Sequence, residues 1–148
     1  MLLGDFEYAL DDRGRLAIPA KFRPDLGNGL VVTRGLERCL VAWPMDEWRV
    51  MANKLTALSP MRADVRRLQR LFFSNATDVQ MDRLGRIVIP TPLRQYAELE
   101  DAVIVVGLVD RLELWSPPSW SAERTMTEND SLALANELYV NDLPGKGD

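Results

Sequence analysis

Apolar and polar positions alternate in two stretches of the chain, each broken by the same kind of turn. Phe6, Tyr8 and Leu10 alternate with Glu7 and Ala9; Leu16 and Ile18 alternate with Arg15 and Ala17. A period of two marks a half-buried strand. Between the runs, Asp11–Gly14 has turn chemistry, since Asp bonds nearby backbone and Gly tolerates positive φ. The pattern predicts a β-hairpin turning at Asp11–Gly14. It recurs with Val79 and Met81, a turn at Asp82–Gly85, then Ile87 and Ile89. Arg15 and Arg86 fall just after the two turns, on the face opposite the apolar residues.

The recurrence is a true internal repeat. Asp11, Gly14, Arg15, Ile18, Pro19 and Arg23 match Asp82, Gly85, Arg86, Ile89, Pro90 and Arg94 at a constant offset of 71. Trp43 and Trp115, like Trp48 and Trp120, lie 72 apart, so the repeat continues with one inserted residue. Two copies are too few for a solenoid and predict a duplicated half packed on its twin. Each half alone is marginal for independent folding. The halves are therefore expected to share one core about a pseudo-twofold axis, with a boundary near Ser74–Thr77.

The remaining elements follow from the same periodicities. Ala20–Leu26 is a predicted short helix, with Phe22 and Leu26 inward, Lys21 and Arg23 towards solvent and Gly27 at its end. Residues 30–33 and 39–43 are predicted strands. Pro44 opens a helix to about Leu58, and Trp48, Met51, Leu55 and Leu58 share a face. Ser59-Pro60 is a predicted helix start, with Met61, Val65, Leu68 and Phe72 on one face of a helix to Phe73. Arg62, Arg66 and Arg70, with Arg67 beside them, form a second face. That stripe is read first as a solvated face, and otherwise as a contact for DNA phosphates or for the acidic tail of a neighbouring subunit. In the second half, residues 92–99 form the short helix, 102–106 and 112–115 are strands, and Ser116-Pro117-Pro118 opens a helix. Ser131–Val140 is a predicted last helix capped by Asn129 or Asp130, and Asp142–Asp148 is expected to be loose.

Composition narrows the function. The chain has 148 residues, no histidine, one cysteine and 47% hydrophobic residues. Without histidine there is no Ser-His-Asp chemistry and no common His-based zinc site. No carboxylate pair sits in a catalytic context, so no enzyme, cofactor, metal or small-molecule substrate is predicted. A lone Cys39 beside Leu40 and Val41 fits a buried strand thiol in a reducing cytosol. No apolar run reaches the ~20 residues needed to span a bilayer, and the start lacks a signal-peptide pattern. Net charge is −4, but its distribution is uneven. Arg13 to Arg23 holds four basic residues and no acids, whereas Asp101 to Asp148 holds nine acids against three bases. A basic surface is left away from the C-terminal third.

The duplicated Asp-x-x-x-Arg admits two readings. Asp11 with Arg15, and Asp82 with Arg86, can be ion pairs that stabilise a turn. Alternatively, arginine beside a tight turn can enter the major groove and fork to guanine O6 and N7, with Asp holding the guanidinium in place. Arg13 and Arg83 are not repeat-equivalent, but both sit on the turns within reach of phosphates.

These two motifs, each followed by an apolar-Ile-Pro stretch, resemble the MraZ family. So do the start Gly4-Asp5-Phe6-Glu7-Tyr8-Ala9-Leu10-Asp11 and the helix pair ahead of the second copy. The resemblance spans Met1 to about Asp142. It implies a bacterial DNA-binding regulator of the division and cell-wall gene cluster, including its own operon. The implied fold is mainly β with flanking helices (α+β): two SpoVT/AbrB-type halves, 1–75 and 76–148, in a pseudo-twofold double-split β-barrel, assembled into rings. The implied DNA contacts are Arg15 and Arg86, with Asp11 and Asp82 completing the motifs. Lys21 is a further expected phosphate contact; Thr91-Pro92 replaces Ala20-Lys21 in the second copy. A double-stranded operator of repeated boxes and a cytoplasmic, nucleoid-associated protein are expected. The alternative is an oligomeric protein-interaction scaffold without specific DNA binding.

Overall fold

A computed structural model describes residues 1–141; the expected loose stretch 142–148 lies outside the described residues. Met1–Pro117 form one compact unit, and a second begins at Pro118. The first unit is α+β. Its strands are β1 (Leu2–Ala9), β2 (Arg15–Ala17), β3 (Leu30–Arg34), β4 (Leu40–Pro44), β5 (Thr77–Val79), β6 (Arg86–Val88), β7 (Ala102–Val109) and β8 (Leu112–Trp115). Six of them make an antiparallel sheet in the order β1-β7-β8-β4-β3-β5, and β2 pairs with β6 in a separate ribbon. β1 and β5 are the sheet's outer strands, so the sheet does not close on itself.

The halves are interleaved. β1, from the first repeat, pairs with β7 of the second, and β5, from the second, pairs with β3 of the first. In the ribbon, Leu16 stands opposite Ile87, its own equivalent at the offset of 71. In the sheet, Val41 stands opposite Glu113, its equivalent at 72. Repeat-equivalent residues face each other at both crossings, as a twofold relation between the halves requires. Leu16, Ile18, Ile87 and Ile89 are wholly buried there, in one core with Phe22, Val32, Val103 and Leu114.

This interleaving corrects the simple hairpin. The turns form where predicted, but only one bridge, Leu10 to Leu16, joins the strands flanking the first of them. The expected partners pair instead with strands of the other repeat. Alternation specifies which face of a strand is buried and says nothing of which neighbour it takes.

The helices largely follow their periodicity. Ala20–Leu26 is a 3-10 helix, with Phe22 and Leu26 buried as expected. Its interior Pro24 lacks the N–H that an α-helix would use. Gly27 ends it in right-handed conformation; the positive φ of 93° falls on Gly29. α1 (Met45–Thr56) and α2 (Ala63–Ser74) form the helix pair, and α3 (Thr91–Tyr96) the short helix of the second half. Trp48 meets Phe73 edge-on at 5.8 Å, and Thr33 Oγ1 donates to the Phe72 carbonyl at 2.7 Å, fastening α2 to β3. Ser59 does not cap α2, which starts three residues beyond Pro60; Ser59 Oγ accepts from Met61 N–H instead. Met61 is consequently outside the helix and 86% exposed.

The unit beginning at Pro118 consists, in its described residues, of α4 (Pro117–Asn141). Pro117-Pro118 opens it as predicted. The separate helix from Ser131 does not exist: the helix is continuous. No Gly or Pro interrupts it after Pro118, and the two hydroxyls flanking Asn129 and Asp130 bond back to their own helix. Thr127 Oγ1 donates to the Glu123 carbonyl and Ser131 Oγ to that of Glu128.

Candidate nucleic-acid interface

Each Asp-x-x-x-Arg motif builds the same turn. Asp11 N–H donates to the Arg15 carbonyl and Gly14 N–H to the Asp11 carbonyl. Gly14 sits at φ 77°, closing a three-residue loop that needs a left-handed residue there. Asp11 Oδ1 accepts the backbone N–H of Arg13 (3.0 Å) and of Arg15 (2.7 Å), while Oδ2 accepts Arg15 Nε at 2.5 Å. The second copy repeats this. Asp82 Oδ1 accepts Leu84 and Arg86 N–H, both at 2.9 Å, and Oδ2 accepts Arg86 Nε at 2.8 Å. Gly85 has φ 74°.

The carboxylate thus organises backbone and guanidinium together. It engages arginine through Nε, so the two terminal nitrogens are not consumed and can still fork to an acceptor pair. The N–H bonds from Arg15, then its side chain, hold the Asp11 carboxyl below the usual aspartate range; Arg86 does the same for Asp82. Both carboxyls are ionised at neutral pH. Both arginines are about 31% exposed.

The ribbon sets them side by side. Arg15 is opposite Val88 and Arg86 opposite Ala17. Directly opposed residues point to one face, so both arginines stand on the face away from the buried Leu16–Ile87 pair.

Each turn is held by the other repeat. The Gly14 carbonyl accepts Ile89 N–H and the Gly85 carbonyl accepts Ile18 N–H, both at 2.8 Å. A Cβ on Gly14 would lie 2.8 Å from the Ile89 carbonyl and 2.9 Å from the Arg94 guanidinium; one on Gly85 would collide with Arg23. Arg23 is therefore half-buried against Gly85 rather than turned to solvent, its Nε donating to the Ile18 carbonyl at 3.0 Å. Arg94 donates from its terminal nitrogen to Thr91 Oγ1. These two arginines are the supporting residues that turn chemistry alone misses. Their common offset of 71 was the available signal.

The other expected contacts are less tightly built in. Arg13 and Arg83 are exposed on the turns. Leu84, 64% exposed, occupies the position equivalent to Arg13. Lys21 Nζ lies 4.9 Å from the Phe6 ring centroid and 5.5 Å from that of Phe22, a cation–π seat rather than a contact with either turn. In the arginine stripe, Arg62 pairs with Asp64 and Arg66 donates to the Pro60 carbonyl, while Arg67 and Arg70 are exposed.

Elsewhere, Glu37, Cys39 and Glu113 bring ligand atoms within 4.8 Å of one another. Burial, and then the Glu113 charge, push the Cys39 thiol up to about 12, so it stays protonated. No described helix is long and apolar enough to cross a membrane.

A family model described as an antitoxin-like MraZ protein matches the chain twice, over residues 1–71 and 72–139. The chain is 43% identical over 143 residues to the Transcriptional regulator MraZ of Moorella thermoacetica, covering 97% of this chain and all of that one. It is 45% identical over 138 residues to the protein of that name from Thermomicrobium roseum, covering 93% and 97%. Against the Limosilactobacillus reuteri protein of the same name it is 42% identical over 140 residues, covering 95% and 99%.

Proposed function

The chain belongs to the MraZ family, and on that premise we propose that it is a sequence-specific DNA-binding transcriptional regulator of the bacterial division and cell-wall gene cluster, including its own operon. The observation that carries this is the pair of matching Asp–Arg turns on one face of the β2–β6 ribbon. A two-stranded ribbon fits the major groove, and arginine is the commonest reader of guanine there. Arg15 and Arg86 read bases, Asp11 and Asp82 hold them, and Arg13, Arg83 and Lys21 supply phosphate contacts. In this reading 1–75 and 76–148 are two SpoVT/AbrB-like halves of a double-split β-barrel, and the protein acts as a homo-oligomer, as a ring, in the cytoplasm at the nucleoid. It is a binding protein rather than a catalyst.

The test is binding of the full chain to double-stranded DNA from upstream of its own gene at several salt concentrations. Specific binding that weakens steeply with salt, through counterion release, is expected. No preference for that DNA over unrelated sequence, or affinity indifferent to salt, would remove the reading.

A further inference from the structure

The two turns agree in their Asp, Gly and Arg but not in the residues beside the arginines. At the offset of 71, Leu84 stands where the first repeat has Arg13, and Val88 where it has Ala17. Both differences put apolar surface on the second repeat. Leu84 is 64% and Val88 54% exposed, whereas Ala17 is half-buried and Arg13 is charged. The arginines obey the twofold relation between the halves; the residues beside them break it.

Both residues have their backbone fixed by the parts that position the arginines. Leu84 N–H donates to Asp82 Oδ1, on the carboxylate that also holds Arg86 Nε. Val88 is the ladder partner of Arg15. Bonds from Ile89 N–H to the Gly14 carbonyl and from Ile18 N–H to the Gly85 carbonyl bracket that ladder. Hydrogen-bonded pairs alternate in an antiparallel ladder, so Arg15–Val88 and Ala17–Arg86 are the non-hydrogen-bonded pairs, whose side chains lie closest. One exposed leucine by itself needs no explanation. Here one apolar residue sits on the turn leading to Arg86 and another stands beside Arg15, on the ribbon face assigned above to the major groove.

The base edges in that groove carry one apolar feature, the C5-methyl of thymine, while guanine offers O6 and N7 to arginine. A leucine or valine next to a guanine-reading arginine covers that methyl group. It also disfavours cytosine, whose N4 donor would be left without a partner against an aliphatic side chain.

We propose that Leu84, together with Val88, reads the methyl group of a thymine beside the guanine that arginine engages. This rests on the DNA-binding reading above and deepens it. The second half of the head recognises a thymine-bearing flank, and the first half, with Arg13 and Ala17, does not. A head with two equal halves would accept a box in either orientation. The apolar pair gives the box a direction.

The test compares two forms of the DNA upstream of the protein's own gene, one carrying thymine and the other deoxyuridine throughout, which lacks only the methyl group. The full chain is titrated against each at fixed salt. Covering one methyl group is worth about 4-fold in Kd, so the wild type should prefer the thymine form by at least that factor. Leu84→Arg with Val88→Ala copies the first repeat onto the second; it should still bind specifically but lose the preference. Leu84→Ser alone should reduce it. Arg15→Ala should weaken binding to both forms and keep the preference. Leu84 and Val88 are exposed, so their replacement opens no core cavity; circular dichroism and native mass check fold and assembly. A wild type that binds the upstream DNA specifically but equally well in both forms overturns the proposal and leaves the arginine reading standing. The full preference in the copied variant assigns the methyl group to another residue and overturns it too. So does a Leu84→Ser variant of altered mass and wild-type preference, which would make Leu84 a subunit contact. No preference of the wild type for upstream over unrelated DNA removes the DNA reading, and the proposal with it.

Discussion

Gly14 and Gly85 have no room for a side chain. Both sit in the left-handed region, and both lie against an arginine of the opposite repeat. Gly14→Ala must accept the φ penalty, about 1–3 kcal/mol, and also displace Arg94 and the Ile89 carbonyl. We expect it to lower the unfolding free energy by at least that amount in a urea melt and to weaken DNA binding with it; wild-type stability would show that the seat yields freely. Protonation acts on the same turns. Asp11 and Asp82 have carboxyls held below the usual aspartate range by their N–H donors. A lowered folded-state pKa gives stability that is present above the ordinary value and lost as pH falls through the folded one. The turns should thus loosen only below about pH 4. With no histidine in the chain, operator affinity at fixed salt should be flat between about pH 6 and 8. A midpoint near pH 6.5 in a binding titration would contradict this.

At the level of elements, exchange between the repeats is what a single half lacks. β1 takes β7, β2 takes β6 and β5 takes β3. Residues 1–75 alone leave β1 without a sheet and Leu16 without Ile87. We predict that this half expressed by itself gives no folded monomer; a cooperative monomeric melt would show that the exchange is dispensable. Much of this was legible in the sequence. The Asp-x-x-Gly spacing located both turns, and the apolar alternation placed Leu16, Ile18, Ile87 and Ile89 in the core. The exchange was not, because β1 shows the same face whether it pairs with β2 or with β7. The continuous α4 was hidden for a local reason: Asn129, Asp130 and Ser131 are capping types that this helix carries in its interior. At the site, Asp11, Arg15, Asp82 and Arg86 followed from the repeat. The seats of Arg23 and Arg94 depend on the crossing and did not.

For the molecule as a whole, the proposed reading gives one chain two weak readers and gives an oligomer several pairs. Simultaneous engagement raises affinity only when the spacing of the sites on DNA fits that of the heads. Heads approaching one face of B-DNA need sites about one helical turn apart, roughly 10 bp. The operator should therefore be several short guanine-containing boxes in direct repeat near that period. Inserting about 5 bp between boxes should cut binding sharply and about 10 bp much less; equal tolerance of both in a gel-shift series would argue against a multi-headed reader.

The most direct measurement is the affinity of Arg15→Ala, Arg86→Ala and the double variant for DNA upstream of the protein's own gene. Both side chains lie on the ribbon's outer face, so truncation should leave the fold intact by circular dichroism. Each lost bidentate contact should cost about 1–3 kcal/mol, roughly 5- to 150-fold in Kd. The double variant should fall to the affinity of unrelated DNA. Wild-type affinity in a folded double variant would contradict base reading by the Asp–Arg turns.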